Sequence, residues 1–114
     1  MRVLFVCTAN LDRSPAAEIA LKAMAGDAHE SRSAGTSPTA HRPLDEPDLN
    51  WADIVAVMEV AHRSAIARRW PHQMSKVRVL DIPDRFRRDD PALRQILESR
   101  LGDLLSGGGG MIGP

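Results

Sequence analysis

Apolar and polar positions divide the chain into alternating strand-like and helix-like stretches. Residues 2 to 7, through Val3, Leu4, Phe5, Val6 and Cys7, form a continuous apolar run, the pattern of a central parallel strand buried on both faces. Residues 14 to 25 return to helical spacing and put Ala17, Leu21 and Met24 toward a sheet. Gly26 and Asp27 then stop the helix. Pro15 suits its first turn, where a missing N–H costs nothing, and Ser14 suits its N-cap. His29 to Ser33 is short and polar and predicts a second strand at a sheet edge. Ser33 to Thr36 reads as a turn in which Gly35 relieves a backbone constraint. From Ser37 to Asn50, three prolines and few apolar residues predict a loop that admits one helical turn after Pro43.

Trp51 to Met58 predicts the third strand, and Glu59 to Trp70 a helix with Ile66 and Trp70 on one face, closed by Pro71. Val77 to Leu80 is the fourth strand, followed by an aspartate-rich loop from Asp81 to Asp90. Asp90 and Pro91 open a last helix whose apolar stripe is Leu93, Ile96, Leu97, Leu101, Leu104 and Leu105. The glycine-rich residues 106 to 114 predict a flexible tail, which leaves 1 to 105 as one domain. Strands alternating with helices over short connections require a parallel sheet with right-handed crossovers. The expected fold is therefore α/β, a three-layer sandwich around a four-stranded parallel sheet. Ligand sites in such sheets lie beyond the carboxyl ends of the strands. Cys7 follows the first strand and Asp84 the fourth, so one crevice can receive both.

Composition narrows the function. The 114 residues carry fifteen basic and fifteen acidic side chains, so no global charge favours nucleic acid or an anionic membrane. No run of eighteen apolar residues exists to span a bilayer, and the apolar N-terminal stretch is too short for a secretory signal. A single cysteine excludes an internal disulfide, which fits a reducing cytoplasm. No clustered His/Asp pattern suggests a metal, and no cofactor is expected.

The chemistry concentrates between the first strand and the first helix. The backbone N–H groups of residues 8 to 14 should converge at the positive end of a helix, a site for an oxyanion and for phosphate above all. Cys7 stands at the mouth of this loop and Arg13 at its far end. A permanent positive charge and a helix N-terminus both favour the thiolate, a nucleophile near neutral pH. The planar fork of Arg13 can hold two equatorial phosphate oxygens. Alone, Cys7 would read as a small buried hydrophobe; the loop around it favours a nucleophile. Asn10 and Ser14 read as braces of the loop, with the Ser14 hydroxyl also able to donate to the sulfur.

Cys7-x5-Arg13-Ser14 after a first strand resembles the phosphate loop of the low-molecular-weight protein tyrosine phosphatases. Ser33-Ala34-Gly35-Thr36 resembles that family's segment at the end of strand two, and Asp81-Ile82-Pro83-Asp84-Arg85-Phe86 its Asp-Pro-Tyr segment. The resemblance implies the family's fold, a phosphocysteine formed on Cys7, phosphate held by Arg13 and by the loop of Thr8, Ala9, Asn10, Leu11, Asp12 and Ser14, and Asp84 as general acid. Asp81 is the second candidate for the acid. The implied substrate is a phosphotyrosine protein or an aryl phosphate. Arsenate reduction with an external thiol, and a carrier that holds phosphate without hydrolysing it, are alternatives on the same scaffold.

Several positions depart from the family pattern. Arg85 and Phe86 stand where it has Pro and Tyr, and the segment between residues 37 and 50 is much shorter, which should leave one side of the cleft open. Asp12 replaces a cysteine that many members carry. Its carboxylate would oppose an anion unless it turns to solvent or pairs with Arg85 or Arg87. Arg85, Arg87 and Arg88 read equally as attractors of an anionic substrate or as a solvated cluster. His29, His41, His62 and His72 share no ligand spacing and read as surface residues, and Trp51 and Trp70 as packing at element ends.

Overall fold

The first apolar run is buried on both faces because helices cover both. In the computed structural model, which describes residues 1–106, it forms β1 (Arg2–Cys7), followed by α1 (Arg13–Ala25) and β2 (Glu30–Gly35). Then come α2 (Glu46–Trp51), β3 (Ile54–Val57), α3 (Val60–Arg69), a 3-10 turn over Pro71–Lys76, β4 (Val77–Val79) and α4 (Pro91–Leu105). All strand pairs are parallel, in the order β2-β1-β3-β4, so β1 is internal and β2 is an edge. Alternate residues of β1 feed two cores. Val3, Phe5 and Cys7 pack with Ala17, Leu21, Leu93, Leu97 and Leu101 beneath α1 and α4. Leu4 and Val6 pack with Leu49, Ile66 and Trp70 beneath α2 and α3. This is the three-layer α/β sandwich that the alternation of patterns implies.

Four elements differ from expectation. The buried stripe of α1 advances in steps of four, through Ala17, Leu21 and the partly buried Ala25, so Met24 is turned out and 41 % exposed. The first turn of α1 takes in Arg13, with Asp12 rather than Ser14 at the N-cap position. The third strand begins at Ile54, because the Asp45 carboxylate accepts the Asp48 N–H and starts a helix that absorbs Trp51. Trp51 serves instead as a platform for Arg32, whose guanidinium carbon lies 4.2 Å from the ring centroid. Pro71 ends α3 but also opens the 3-10 turn. The expected tail falls on residues 107 to 114, outside the described residues. Among the described residues, no helix is long and apolar enough to cross a membrane.

β2 runs on to Gly35, which pairs with Cys7, rather than turning at Ser33. Its glycine answers a steric need and not a left-handed one: a Cβ at Gly35 would lie 2.5 Å from the Thr8 carbonyl oxygen and 2.6 Å from the Ala40 Cβ. The chain beyond it is laid along the loop after β1. Thr36, Ser37 and His41 donate their N–H groups to the carbonyls of Cys7, Thr8 and Ala9 at 2.9, 3.0 and 2.9 Å. The short 36–45 segment therefore buttresses that side of the cleft instead of leaving the loop bare. Buried Asp48 helps to anchor it, pairing with Arg42 at 3.1 Å and with Arg32 at 3.4 Å. Gly35→Ala should destabilise the protein by about 1–3 kcal/mol through overpacking. Gly102→Ala, in α4 with nothing within 4 Å of its added Cβ, should stabilise it by about 0.5–1 kcal/mol. Urea unfolding of both variants checks the pair.

Candidate active site

Five residues, Thr8 to Asp12, carry the chain from β1 to α1. To turn so sharply the loop places Asn10 at φ 57°, a left-handed position that asparagine tolerates better than most residues. This turn aims the Asn10 N–H at Cys7 Sγ, 3.2 Å away. Asn10 Nδ2 donates to Ser14 Oγ at 2.8 Å. With that lone pair engaged, the Ser14 hydroxyl is free to direct its proton at Cys7 Sγ, 3.0 Å away. The sulfur, 3 % exposed, therefore receives two donors that stabilise a negative charge on it. Both braces read from the sequence are in place, with Ser14 acting from inside the helix.

The rest of the loop is a ring of donors. Among the described residues, the backbone N–H groups of Thr8, Ala9, Leu11, Asp12, Arg13 and Ser14 have no protein acceptor. Pro15 has none to offer, and the first intrahelical bond of α1 runs from Ala16 N to Asp12 O at 2.9 Å. Such a ring at a helix start stabilises an anion. Leu11 lies on the rim, 52 % exposed.

Arg13 is the largest fully buried side chain among the described residues. Its Nη1 donates to Glu59 Oε2 at 2.6 Å and to the Ile82 carbonyl at 2.7 Å. Nε and Nη2 remain for a ligand, and Asp84 Oδ1 lies 3.8 Å from Nε. Cys7, Arg13 and Asp84 are thus gathered from the ends of β1 and β4, as the topology requires. Asp84 is 70 % exposed in its side chain. Asp81 instead takes a left-handed turn at φ 58° and, among the described residues, makes no ion pair with Arg13.

Asp12 neither turns to open solvent nor pairs with the side chain of Arg85 or Arg87. Its Oδ1 accepts the backbone N–H of Arg88 at 2.9 Å, while Arg88 Nε and Nη2 donate to the Leu11 carbonyl at 3.0 and 2.7 Å. Its charge is thereby directed away from the ring of amides.

Two residues of the site escaped the sequence reading. Glu59 holds Arg13 from the N-cap of α3. His62, expected on the surface, is 2 % exposed. Its Nδ1 accepts the Glu59 N–H at 2.9 Å, so the ring proton sits on Nε2 and is donated to Thr8 Oγ1, 2.9 Å away. That leaves the Thr8 hydroxyl proton free to point toward the anion. Burial lowers the His62 pKa from its usual value, and the Arg13 charge lowers it further, against the opposing pull of Glu59 and Asp84. The signal available in the sequence was Glu59-x-x-His62 immediately after a strand end, a helix start on the ligand side of the sheet.

A strand-end cysteine, a ring of amides and a buried arginine, set at the C-terminal edge of a parallel sheet, make up a candidate anion site of an α/β protein. Residues 2–46 match the family model described as low molecular weight phosphotyrosine protein phosphatase. Solved structures match over nearly the whole chain. YwlE arginine phosphatase from Geobacillus stearothermophilus is 28 % identical, with 94 % of each chain covered and a TM-score of 0.76. The fold alone is shared with two others. The low molecular weight protein tyrosine phosphatase from Streptococcus pyogenes is 23 % identical (92 % of this chain and 91 % of that one, TM-score 0.78). The low molecular weight phosphotyrosine phosphatase of Vibrio cholerae O395 is 22 % identical (94 % and 95 %, TM-score 0.80). No curated protein matches the sequence significantly. The chain is thus similar to the low molecular weight phosphotyrosine protein phosphatase family over residues 2–46, and to its solved structures in fold over nearly the whole length.

Because folding lowers the His62 pKa, its contribution to stability is complete above 6.5, the ordinary value. It is lost as pH falls from there toward the lower folded value. His62→Gln should flatten the fall in stability just below pH 6.5, and His62→Ala should cost about 1–2 kcal/mol at pH 7.5 by removing the cap acceptor and the Thr8 partner. Denaturant titrations at several pH values measure both.

Proposed function

We propose that this protein is a phosphatase that hydrolyses its substrate through a phosphocysteine on Cys7. The observation that carries the reading is one cluster: a sulfur that accepts two hydrogen bonds, beneath six amides unpaired among the described residues, beside a buried arginine. In the first step the Cys7 thiolate attacks phosphorus and the bond to the leaving oxygen breaks. Arg13 and the amides of Thr8, Ala9, Leu11, Asp12, Arg13 and Ser14 stabilise the charge on the equatorial oxygens. Protonated Asp84 gives its proton to the leaving group. In the second step a water attacks phosphorus, its proton passes to the Asp84 carboxylate, and the P–S bond breaks to release orthophosphate and the thiolate. Arginine and amides supply the positive field without a metal. A lone cysteine that stays reduced fits a cytoplasmic location.

A phosphotyrosine protein or an aryl phosphate is the first substrate reading. A second, phosphorylated arginine, is favoured by one feature of the mouth. Two carboxyl groups, Glu59 and Asp84, flank Arg13 at 2.6 and 3.8 Å, so a guanidinium-bearing substrate would meet oxygen acceptors there. It is also the substrate class named for the 28 % identical YwlE. Comparing kcat/KM for phosphotyrosine and phosphoarginine peptides decides between them.

With para-nitrophenyl phosphate, Cys7→Ser should abolish turnover while still binding inorganic phosphate. Asp84→Asn should lower kcat by about 10²-fold or more. A single stoichiometric burst from the wild type would instead mark a carrier, and thiol-dependent consumption of arsenate a reductase.

A further inference from the structure

Asp84 is held in place from outside its own loop. Between Leu80 and Pro91, only two backbone bonds close within the segment, Arg85 N to Pro83 O and Asp90 N to Arg87 O. The Asp84 side chain is too exposed for packing to orient it. Before Asp84, the Ile82 carbonyl is tied to Arg13 at 2.7 Å and the Ile82 N–H to the Met58 carbonyl at 2.8 Å. After it, Phe86 packs partly buried against the core beneath α4. Arg88 then closes a reciprocal clasp with the phosphate loop. The Asp12 carboxylate takes the Arg88 N–H, and the Arg88 guanidinium puts two donors on the Leu11 carbonyl.

We infer that the clasp between Arg88 and residues Leu11 and Asp12 is a positioning device: it fixes the loop so that Asp84 stands over the leaving group. The inference rests on the reading of Asp84 as general acid. Arg88 touches no reacting atom, since its guanidinium is spent on the outer carbonyl of Leu11. Its effect is therefore transmitted through the loop between residues 82 and 88. Such misplacement is costly, because proton transfer requires hydrogen-bond distance in the transition state. Asp12, which at first sight sets a negative charge beside an anion site, has a constructive role on this account.

The test separates proton donation from phosphate binding by varying the leaving group. Phenyl phosphate needs a proton at its departing oxygen, and 2,4-dinitrophenyl phosphate does not. Arg88→Ala should lower kcat/KM, which reports the steps up to departure of the leaving group, about tenfold for phenyl phosphate and less than about twofold for the dinitrophenyl ester. Inhibition by inorganic phosphate should be unchanged. In an Asp84→Asn background, Arg88→Ala should produce no further loss, because the group it positions has gone. Equal losses on both esters, weakened phosphate inhibition, or a full additional loss on top of Asp84→Asn would each overturn the inference. If Asp84→Asn itself shows no preference between the esters, the assignment of the acid fails instead. Circular dichroism and a denaturation midpoint for Arg88→Ala exclude a folding defect.

Discussion

A guanidinium taken out of water is the constraint on which this structure turns. A buried charge costs several kcal/mol unless partners replace its hydration. For Arg13, in the first turn of α1, these partners are the carboxylate of Glu59 at the start of α3 and the carbonyl of Ile82 beyond β4. Two crossovers of the sheet and the segment after its last strand therefore meet on one side chain. The arrangement is incomplete in a useful way. A cation at a helix N-terminus opposes the helix dipole, and the neighbouring amides add further positive potential. An anion seated there relieves both.

The sheet makes the meeting possible. Parallel strands deliver their carboxyl ends to one edge, so Cys7 and Glu59, each at or just past a strand end, and Asp84 a few residues beyond a third strand, become neighbours across seventy-odd residues of chain. Gly35 lets the edge strand close against the Thr8 carbonyl, and the segment after it fixes three carbonyls of the phosphate loop from outside. With its carbonyls held outward, the loop keeps its amide hydrogens for the centre. His62 extends the same logic to a side chain, since a backbone N–H chooses its tautomer and the tautomer leaves the Thr8 proton to spare.

Much of this could be read from the chain alone. The apolar run of residues 2 to 7, the stop at Gly26 and the stripe of the last helix each depend on local spacing, and local spacing is what a sequence displays. Cys7, Arg13 and Ser14 were legible for the same reason, lying within eight consecutive residues. Contacts between distant segments were hidden. Nothing near Asp12 announces the backbone of Arg88, so solvent or the side chains of Arg85 and Arg87 were the partners considered; nothing near His62 announces Thr8, so it was assigned to the surface. Trp51 was misread because β propensity outweighed the Asp45 cap that starts a helix before it. Gly35 was rightly singled out, but for a dihedral reason where the cause is the close approach of the Thr8 carbonyl in the loop after β1.

The account stands on an anion seated over Cys7. The direct measurement is a crystal of the protein grown with inorganic phosphate. It should place phosphate oxygens at hydrogen-bond distance from Arg13 Nε and Nη2 and from the backbone N–H groups of Thr8 to Ser14, with phosphorus facing the Cys7 sulfur. Phosphate bound only at surface arginines such as Arg32 and Arg42, with none above that sulfur, would contradict it.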